Sequence, residues 1–177
     1  MKCFFSADYH LGHANIIKYC ERPFKTLEAM NETIIRNHNE RVKKNDELFF
    51  LGDFCFKNTP GGKHGEGTTT KSEEYINQLN GRIVFVKGNH DGNNSLKTKI
   101  ERVIIKYGKE KICLVHNPIH IDLSYNFNFV GHVHNRWKYK KINNSVLVNV
   151  GVDVWNFRPV TFEEIMRDYN KWLRNNK

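Results

Sequence analysis

Arg82-Ile83-Val84-Phe85-Val86-Lys87-Gly88-Asn89-His90-Asp91 is the stretch on which the reading of this chain turns. Its first half is apolar, β-branched and aromatic, the composition of a buried strand. Its second half changes abruptly to glycine and then to side chains that offer oxygen and imidazole nitrogen. Working outward, the same transition recurs in both directions. Cys3-Phe4-Phe5 leads to Asp8-Tyr9-His10, and residues 47–51 lead to Gly52-Asp53. Residues 111–115 lead to His116, and residues 127–131 lead to His132-Val133-His134. Five islands of hard ligand residues, each at the end of an apolar run, predict a site built where several strand ends meet.

The segments between these strands carry helical spacing. Leu27, Met30, Ile34, Ile35 and Val42 predict a helix over 27–43, after a shorter amphipathic segment at 14–20. A further helix is expected over 73–79, with Asn80-Gly81 as its stop. Residues 102–106 and 111–115 flank a turn and read as a hairpin. Trp137 to Lys140 and Val146 to Val150 are expected to pair across Asn143-Asn144. Thr161 and Glu164, three apart, suit a capping box for a last helix with Ile165, Tyr169, Trp172 and Leu173 on one stripe. Residues 58–71, rich in glycine and threonine, read as a mobile surface loop that could act as a flap. The pattern is that of an α/β (α+β) chain with mixed sheets, one domain over 1–177.

Bulk properties narrow the function classes. The 177 residues are 39% hydrophobic and 27% charged, ordinary for a soluble globular protein. No apolar run approaches the length of a membrane span. The first residues do not read as a signal peptide, so a cytoplasmic location is the expectation and no membrane partner is foreseen. Cys3, Cys20, Cys55 and Cys113 lack CxxC spacing and read as thiols rather than a disulfide framework. The 28 basic and 19 acidic residues leave a net charge of +9, which attracts polyanions. No oligomeric state follows from the sequence.

The chemistry of the islands is that of a metal centre. Asp8 and His10 can converge on one ion, Asp53 can bridge two, and Asn89 offers a neutral oxygen. His116, His132 and His134 complete a set of seven ligands, enough for two four-ligand half-sites that share one carboxylate and stay open. Mixed nitrogen and oxygen donors without thiolate suit two divalent metal ions. Manganese stands first, with iron, zinc, cobalt or nickel as alternatives. A metal-bound hydroxide could then attack phosphorus in line, with His90 assisting the leaving oxygen and Asp91 orienting His90 by a hydrogen bond.

The ordered motifs Asp8-x-His10, Gly52-Asp53, Gly88-Asn89-His90-Asp91, His116 and Gly131-His132-x-His134 resemble those of calcineurin-like metallophosphoesterases. They cover about three quarters of the chain, and the sequences around 5–17 and 149–160 are similar to small prokaryotic and phage-type members. The resemblance implies a four-layer sandwich, two mixed β-sheets face to face with helices outside. It also implies one metal on Asp8, His10, Asp53 and His134, and another on Asp53, Asn89, His116 and His132. Val115 departs from the glycine that many members carry before the fifth-motif histidine.

The expected activity is hydrolysis of phosphomono- or phosphodiesters, with a nucleotide or nucleic acid among the candidate substrates. A nuclease or cyclic-nucleotide phosphodiesterase is the alternative within the same chemistry. A non-catalytic protein-binding scaffold is the alternative outside it. Among the remaining residues, His13 is placed to contact phosphate, support a ligand or cap its loop. His38 and His64 are expected on the surface, and His120 in a structural turn. Arg158 reads as a surface or salt-bridged residue, with phosphate binding as its other reading. Trp137, Trp155 and Trp172 read as core or groove walls, and Cys55 as a small packing residue near the site.

Overall fold

Phe4 and Phe5 point to opposite sides, as successive residues of a strand must, and the layers of the molecule follow from that alternation. The computed structural model describes residues 1–56 and 70–176. The expected flap over 58–71 lies outside the described residues except for Thr70 and Lys71, and His64 lies outside them too. Strands β1 (Cys3–Ser6), β2 (Glu47–Leu51) and β3 (Arg82–Val86) run parallel, and the short β9 (Val160–Thr161) pairs antiparallel with β1. The order of this sheet is β3-β2-β1-β9. The second sheet has the order β4-β5-β6-β8-β7, from β4 (Arg102–Tyr107), β5 (Glu110–Val115), β6 (Phe127–Val130), β8 (Ser145–Asn149) and β7 (Tyr139–Ile142). Its three inner strands are parallel and its two outer pairs antiparallel. Both sheets are therefore mixed, as the sequence pattern predicts.

One core lies between the sheets. Phe5, Ala7, Leu51 and Val86 of the first meet Ile112, Leu114, Phe129 and Val148 of the second. Phe5 and Phe129 touch edge to face, their ring centroids 4.9 Å apart. The other face of the first sheet, with Phe4, Leu48 and Phe50, packs on Met30 and Ile34. Those two residues belong to α2 (Leu27–Arg41), which follows α1 (Asn15–Tyr19). A smaller cluster, Cys113, Val115 and Val130 with Trp137 against it, covers the second sheet.

Helix α3 (Ser72–Ile76) is shorter than the predicted 73–79, and Gly81 turns the chain into β3 with φ +91°. Helix α4 (Phe162–Asn175) starts with the predicted capping box: Thr161 Oγ1 accepts from Glu164 N–H, and Glu164 Oε2 accepts from Thr161 N–H at 3.0 Å. Its Ile165 and Tyr169 join the inter-sheet core. All four cysteines are free thiols. No helix among the described residues is long and apolar enough to cross a membrane.

His38 is a correction. It was expected on the surface, yet it is fully buried, on the face of α2 that also buries Met30 and Ile34. Its position four residues beyond Ile34 is the signal that marks it as inward-facing.

Candidate metal centre

Six strands, three in each sheet and parallel within it, open at their C-terminal ends onto one site, and five of them deliver the predicted ligands. β1 leads to Asp8 and His10, β2 to Asp53, and β3 to Asn89 and His90. β5 leads to His116, β6 to His132 and His134, and β8 to Gly151 and Asp153. The two sheets are joined at this edge by a parallel bridge between Ala7 and Gly151. Within the first sheet, the loops after β1 and β2 are tied by Asp8 N–H to Gly52 O and His10 N–H to Asp53 O, at 3.0 and 3.1 Å.

The backbone here is held in the left-handed region. Asp8, His10, Asp53, His132 and His134 have φ of 59°, 51°, 58°, 71° and 48°. Each such non-glycine residue costs on the order of 1–3 kcal/mol and persists only where its surroundings enforce it. Glycine supplies the close approaches. A Cβ on Gly151 would lie 2.6 Å from Asp8 Oδ2, and one on Gly88 would overlap Asp53 Oδ1 and N.

The predicted ligands gather into two groups. Donor atoms of Asp8, His10 and His134 lie within 4.8 Å of one another, as do those of Asp53, His116 and His132. Asn89 joins the second group: its Oδ1 is 2.9 Å from His116 Nε2 and 2.8 Å from His132 Nδ1. Asp53 Oδ2 faces both groups, 3.6 Å from His10 Nε2 and 3.3 Å from His116 Nε2. Asp8 accepts from His132 N–H at 3.0 Å on both oxygens. The structure thus brings all seven predicted ligands together, His116 included despite Val115 before it.

Two histidines are oriented from behind. His116 Nδ1 donates to the Leu51 carbonyl at 2.7 Å, which leaves Nε2 facing Asp53. His134 Nδ1 lies 3.1 Å from Asp153 Oδ2. A carbonyl or carboxylate behind an imidazole fixes its ring and tautomer, as metal-ligating histidines require.

Burial and crowding set the charges. Burial pushes Asp8 up to about 6, against the pull of His134 and His116. Burial opposes ionisation of Asp53 as well, but the hydrogen bond from His116 and the charges of neighbouring histidines hold it below the usual carboxylate range. His10 is held well below the ordinary histidine value by burial. His116 and His134 rise to about 9 and about 10, because Asp53 and Asp153 outweigh their burial.

His90 is half-buried, with its ring centroid 5.2 Å from that of His10 and its N–H donating to Asp53 Oδ1 at 2.9 Å. Asp91 is not where the sequence placed it. Rather than bonding His90, its Oδ2 accepts from the Asp53 and Gly88 N–H groups at 2.9 and 2.8 Å. Its Oδ1 accepts from Phe54 N–H and Asn94 Nδ2 at 3.1 and 3.0 Å. Both oxygens are saturated by the two loops they tie together, so the side chain is turned away from His90. His13 is buried and its Nδ1 lies 3.4 Å from that of His10, which favours the supporting role among those expected for it.

Sequence reasoning missed Arg22 and Asp153. Arg22 stands before Pro23, just past the amphipathic segment at 14–20, where nothing in the sequence marks it as functional. It is buried, and its Nη2 and Nη1 donate to the carbonyls of Asp8 and Tyr9 at 2.7 and 2.9 Å. Those bonds hold the strained turn that carries Asp8 and His10. Asn149, also missed, is buried beside Gly151 and donates to the His134 carbonyl at 2.7 Å. The nearest signal in the sequence is an arginine and two polar residues flanking apolar strand ends.

The donor set fits a pair of divalent cations. His10 Nε2 is buried without a hydrogen-bond partner among the described residues, aimed into the space between Asp8, Asp53 and His134. An orphaned imidazole nitrogen among carboxylates is costly unless something electrophilic meets it. Asp8, His10, Asp53 and His134 would hold one ion, and Asp53, Asn89, His116 and His132 the other.

A family model described as calcineurin-like phosphoesterase matches residues 1–176. The chain is 37% identical over 174 residues to an uncharacterized protein of Methanocaldococcus jannaschii, covering 94% of this chain and 90% of that one. A protein of unknown function from Aquifex aeolicus has a similar solved structure, with TM-score 0.66 and 22% identity over 93% of this chain and 97% of that one. The zinc complex of Vps29 from Entamoeba histolytica is a more distant likeness, with TM-score 0.47 and 18% identity over 85% of this chain and 74% of that one.

Proposed function

The chain belongs to the calcineurin-like phosphoesterase family, and from that premise we propose that it hydrolyses phosphate esters with the help of two divalent cations, manganese first among them. The observation that carries this reading is Asp53 Oδ2, which faces His10 Nε2 of one group and His116 Nε2 of the other at 3.6 and 3.3 Å. A carboxylate oxygen set between two clusters of imidazole and oxygen donors is what a shared ligand needs. When bound, the cations would supply an acidified water as nucleophile and positive charge for the phosphate oxygens.

The chain's own residues do the rest. His90 stands at the rim of the ligand groups with its backbone anchored on Asp53, and it gives a proton to the departing oxygen. Arg22 and Asp91 fix the turns that aim Asp8, His10 and Asp53. The net charge of +9 favours anionic substrates, and among them phosphodiesters of nucleotide or nucleic-acid type.

The test is hydrolysis of bis-p-nitrophenyl phosphate and p-nitrophenyl phosphate by manganese-loaded protein. Activity on at least one, lost by about 100-fold or more in His90→Ala, is expected. No turnover of either by protein that carries its metals would overturn the reading. Cleavage of single-stranded DNA or RNA that falls steeply with salt would assign the nuclease form of the same chemistry.

A further inference from the structure

A cavity of about 600 Å³ opens beside the metal centre and shares two of its residues, Asn89 and His116. Beyond them it is lined by Lys87, Arg102 and His120, with Glu101 as the one carboxylate among the described residues. Lys87 follows the end of β3, immediately before Gly88-Asn89, and its N–H donates to the Ile100 carbonyl at 2.7 Å. That bond fixes the end of β3 against the segment entering β4. Arg102 is the first residue of β4, and its Nη2 donates to the His120 carbonyl at 2.6 Å. One wall therefore positions the next.

The cations of this groove are available. Among the described residues Lys87 forms no ion pair. Arg102 lies 4.0 Å from Asp122, in a pair whose side chains are 45% and 36% exposed. An exposed pair at that distance is screened and neutralises little. Among the described residues no Phe, Tyr or Trp lines the cavity, so they offer no platform for a base or an aryl ring. What it offers is positive charge and donors next to the reacting centre, which is how an anionic group is fixed in position.

We propose that this groove holds a second, non-reacting phosphate, so that the preferred substrate is a phosphodiester carrying a further phosphate group, as in a short oligonucleotide. The proposal rests on the hydrolase reading and adds the substrate class. Lys87 and Arg102 contact the second phosphate, and His120 stands beside it. Glu101 disfavours a groove occupant that is itself negatively charged on every side, so the phosphate sits toward Lys87 and Arg102.

The experiment compares the thymidine dinucleotide TpT with the same dinucleotide phosphorylated at its 5′ or 3′ end. The quantity read is the ratio of kcat/KM for phosphorylated over plain dinucleotide. A ratio of about ten or more is expected for the wild type, falling toward one in Lys87→Ala and Arg102→Ala and largely kept in Arg102→Lys. ADP, which carries phosphate without an internucleotide diester, is a competitor arm. If it displaces the phosphorylated dinucleotide equally well, the second phosphate belongs to nucleoside polyphosphates rather than oligonucleotides. A wild-type ratio near one, or a ratio that neither alanine variant changes, would overturn the proposal. If no dinucleotide is cleaved and neither nitrophenyl ester is turned over, the hydrolase reading fails by itself. Affinities for the two dinucleotides then read the groove, with the phosphorylated form expected to bind tighter and Lys87→Ala to abolish the difference. Equal affinities would overturn the groove too.

Discussion

Arg22 and Asp153 form a buried, two-pronged ion pair across 131 positions of sequence, with Nε to Oδ1 at 2.8 Å and Nη2 to Oδ2 at 3.0 Å. Both side chains are almost completely excluded from solvent, at 0% and 2%. The same Asp153 Oδ2 backs His134, so the pair couples the turn at Asp8 to a ligand on the other sheet. Removing one partner leaves an uncompensated buried charge, which costs about 3–5 kcal/mol. Arg22→Met and Asp153→Asn are each expected to lower unfolding free energy by amounts in that range in urea titrations. Asp153→Asn is further expected to weaken metal binding by about 10–100-fold, because His134 loses its anionic support. Calorimetric titration with Mn reads this directly, and unchanged affinity would remove Asp153 from the site.

Asp91 and His90 are neighbours with separable jobs. Asp91 satisfies four donors on two loops, and Asp91→Asn would turn an amide N–H₂ toward one pair of N–H groups. The expected cost is about 2–3 kcal/mol of stability, with metal binding weakened as the loops carrying Asp53 and Asn89 part. His90→Ala removes a half-exposed ring and is expected to leave stability and metal content close to wild type while turnover collapses. Thermal unfolding and metal analysis of the two variants side by side distinguish them. If both variants lose turnover with stability intact, Asp91 acts on His90 after all, by a contact the described hydrogen bonds do not contain.

Asp53 Oδ2 faces an Nε2 of each donor group, at 3.6 and 3.3 Å, and the loss of this side chain has a distinctive signature. Asp53→Ala is expected to abolish both metal equivalents together in elemental analysis. Asp8→Ala should instead weaken mainly the ion on His10 and His134, and Asn89→Ala mainly the ion on His116 and His132. Loss of a single equivalent in Asp53→Ala would show that the two groups do not share a ligand.

The parts of this site that could be read from the sequence are those whose chemistry is carried by side-chain type and strand position. Asp8, His10, Asp53, Asn89 and the histidines follow apolar runs, and hard donors at strand ends announce themselves. The sheets were legible for the same reason, since 82–86, 102–106 and 111–115 have strand patterns that tertiary packing did not override. Arg22, Asp153 and the true partners of Asp91 were not legible. Their roles consist largely of hydrogen bonds to backbone groups and to residues as far as 131 positions away, and backbone groups look alike in any sequence. The left-handed φ values at the ligands were equally hidden, because aspartate and histidine carry no mark of the conformation that neighbours impose on them. His38 was misread for a simpler reason: a histidine suggests the surface unless its i−4 and i−8 neighbours are weighed, and here those are Ile34 and Met30.

His38 also sets a pH dependence that can be isolated. Its Nε2 donates to the Asn80 carbonyl at 2.8 Å, and its Nδ1 accepts from the Tyr9 hydroxyl at 3.0 Å, so the neutral ring is satisfied on both sides. Burial pulls its pKa from 6.5 down to about 4, with the Asn80 carbonyl opposing. The unfolded chain therefore binds a proton at His38 between these values and the folded chain does not, so stability rises with pH across that window. The contribution is fully present above 6.5 and is lost as pH falls toward 4, a total of about 3 kcal/mol. His13, pulled down to about 4 by burial, adds a similar slope, so a variant is needed to separate them. In His38→Gln, whose amide can still donate to Asn80, the slope of unfolding free energy between pH 6.5 and 4 is expected to be shallower by up to about 1.4 kcal/mol per pH unit. Urea titrations at half-unit intervals measure it. An unchanged slope would mean that His38 is already protonated in the fold, with Tyr9 turned to accept rather than donate.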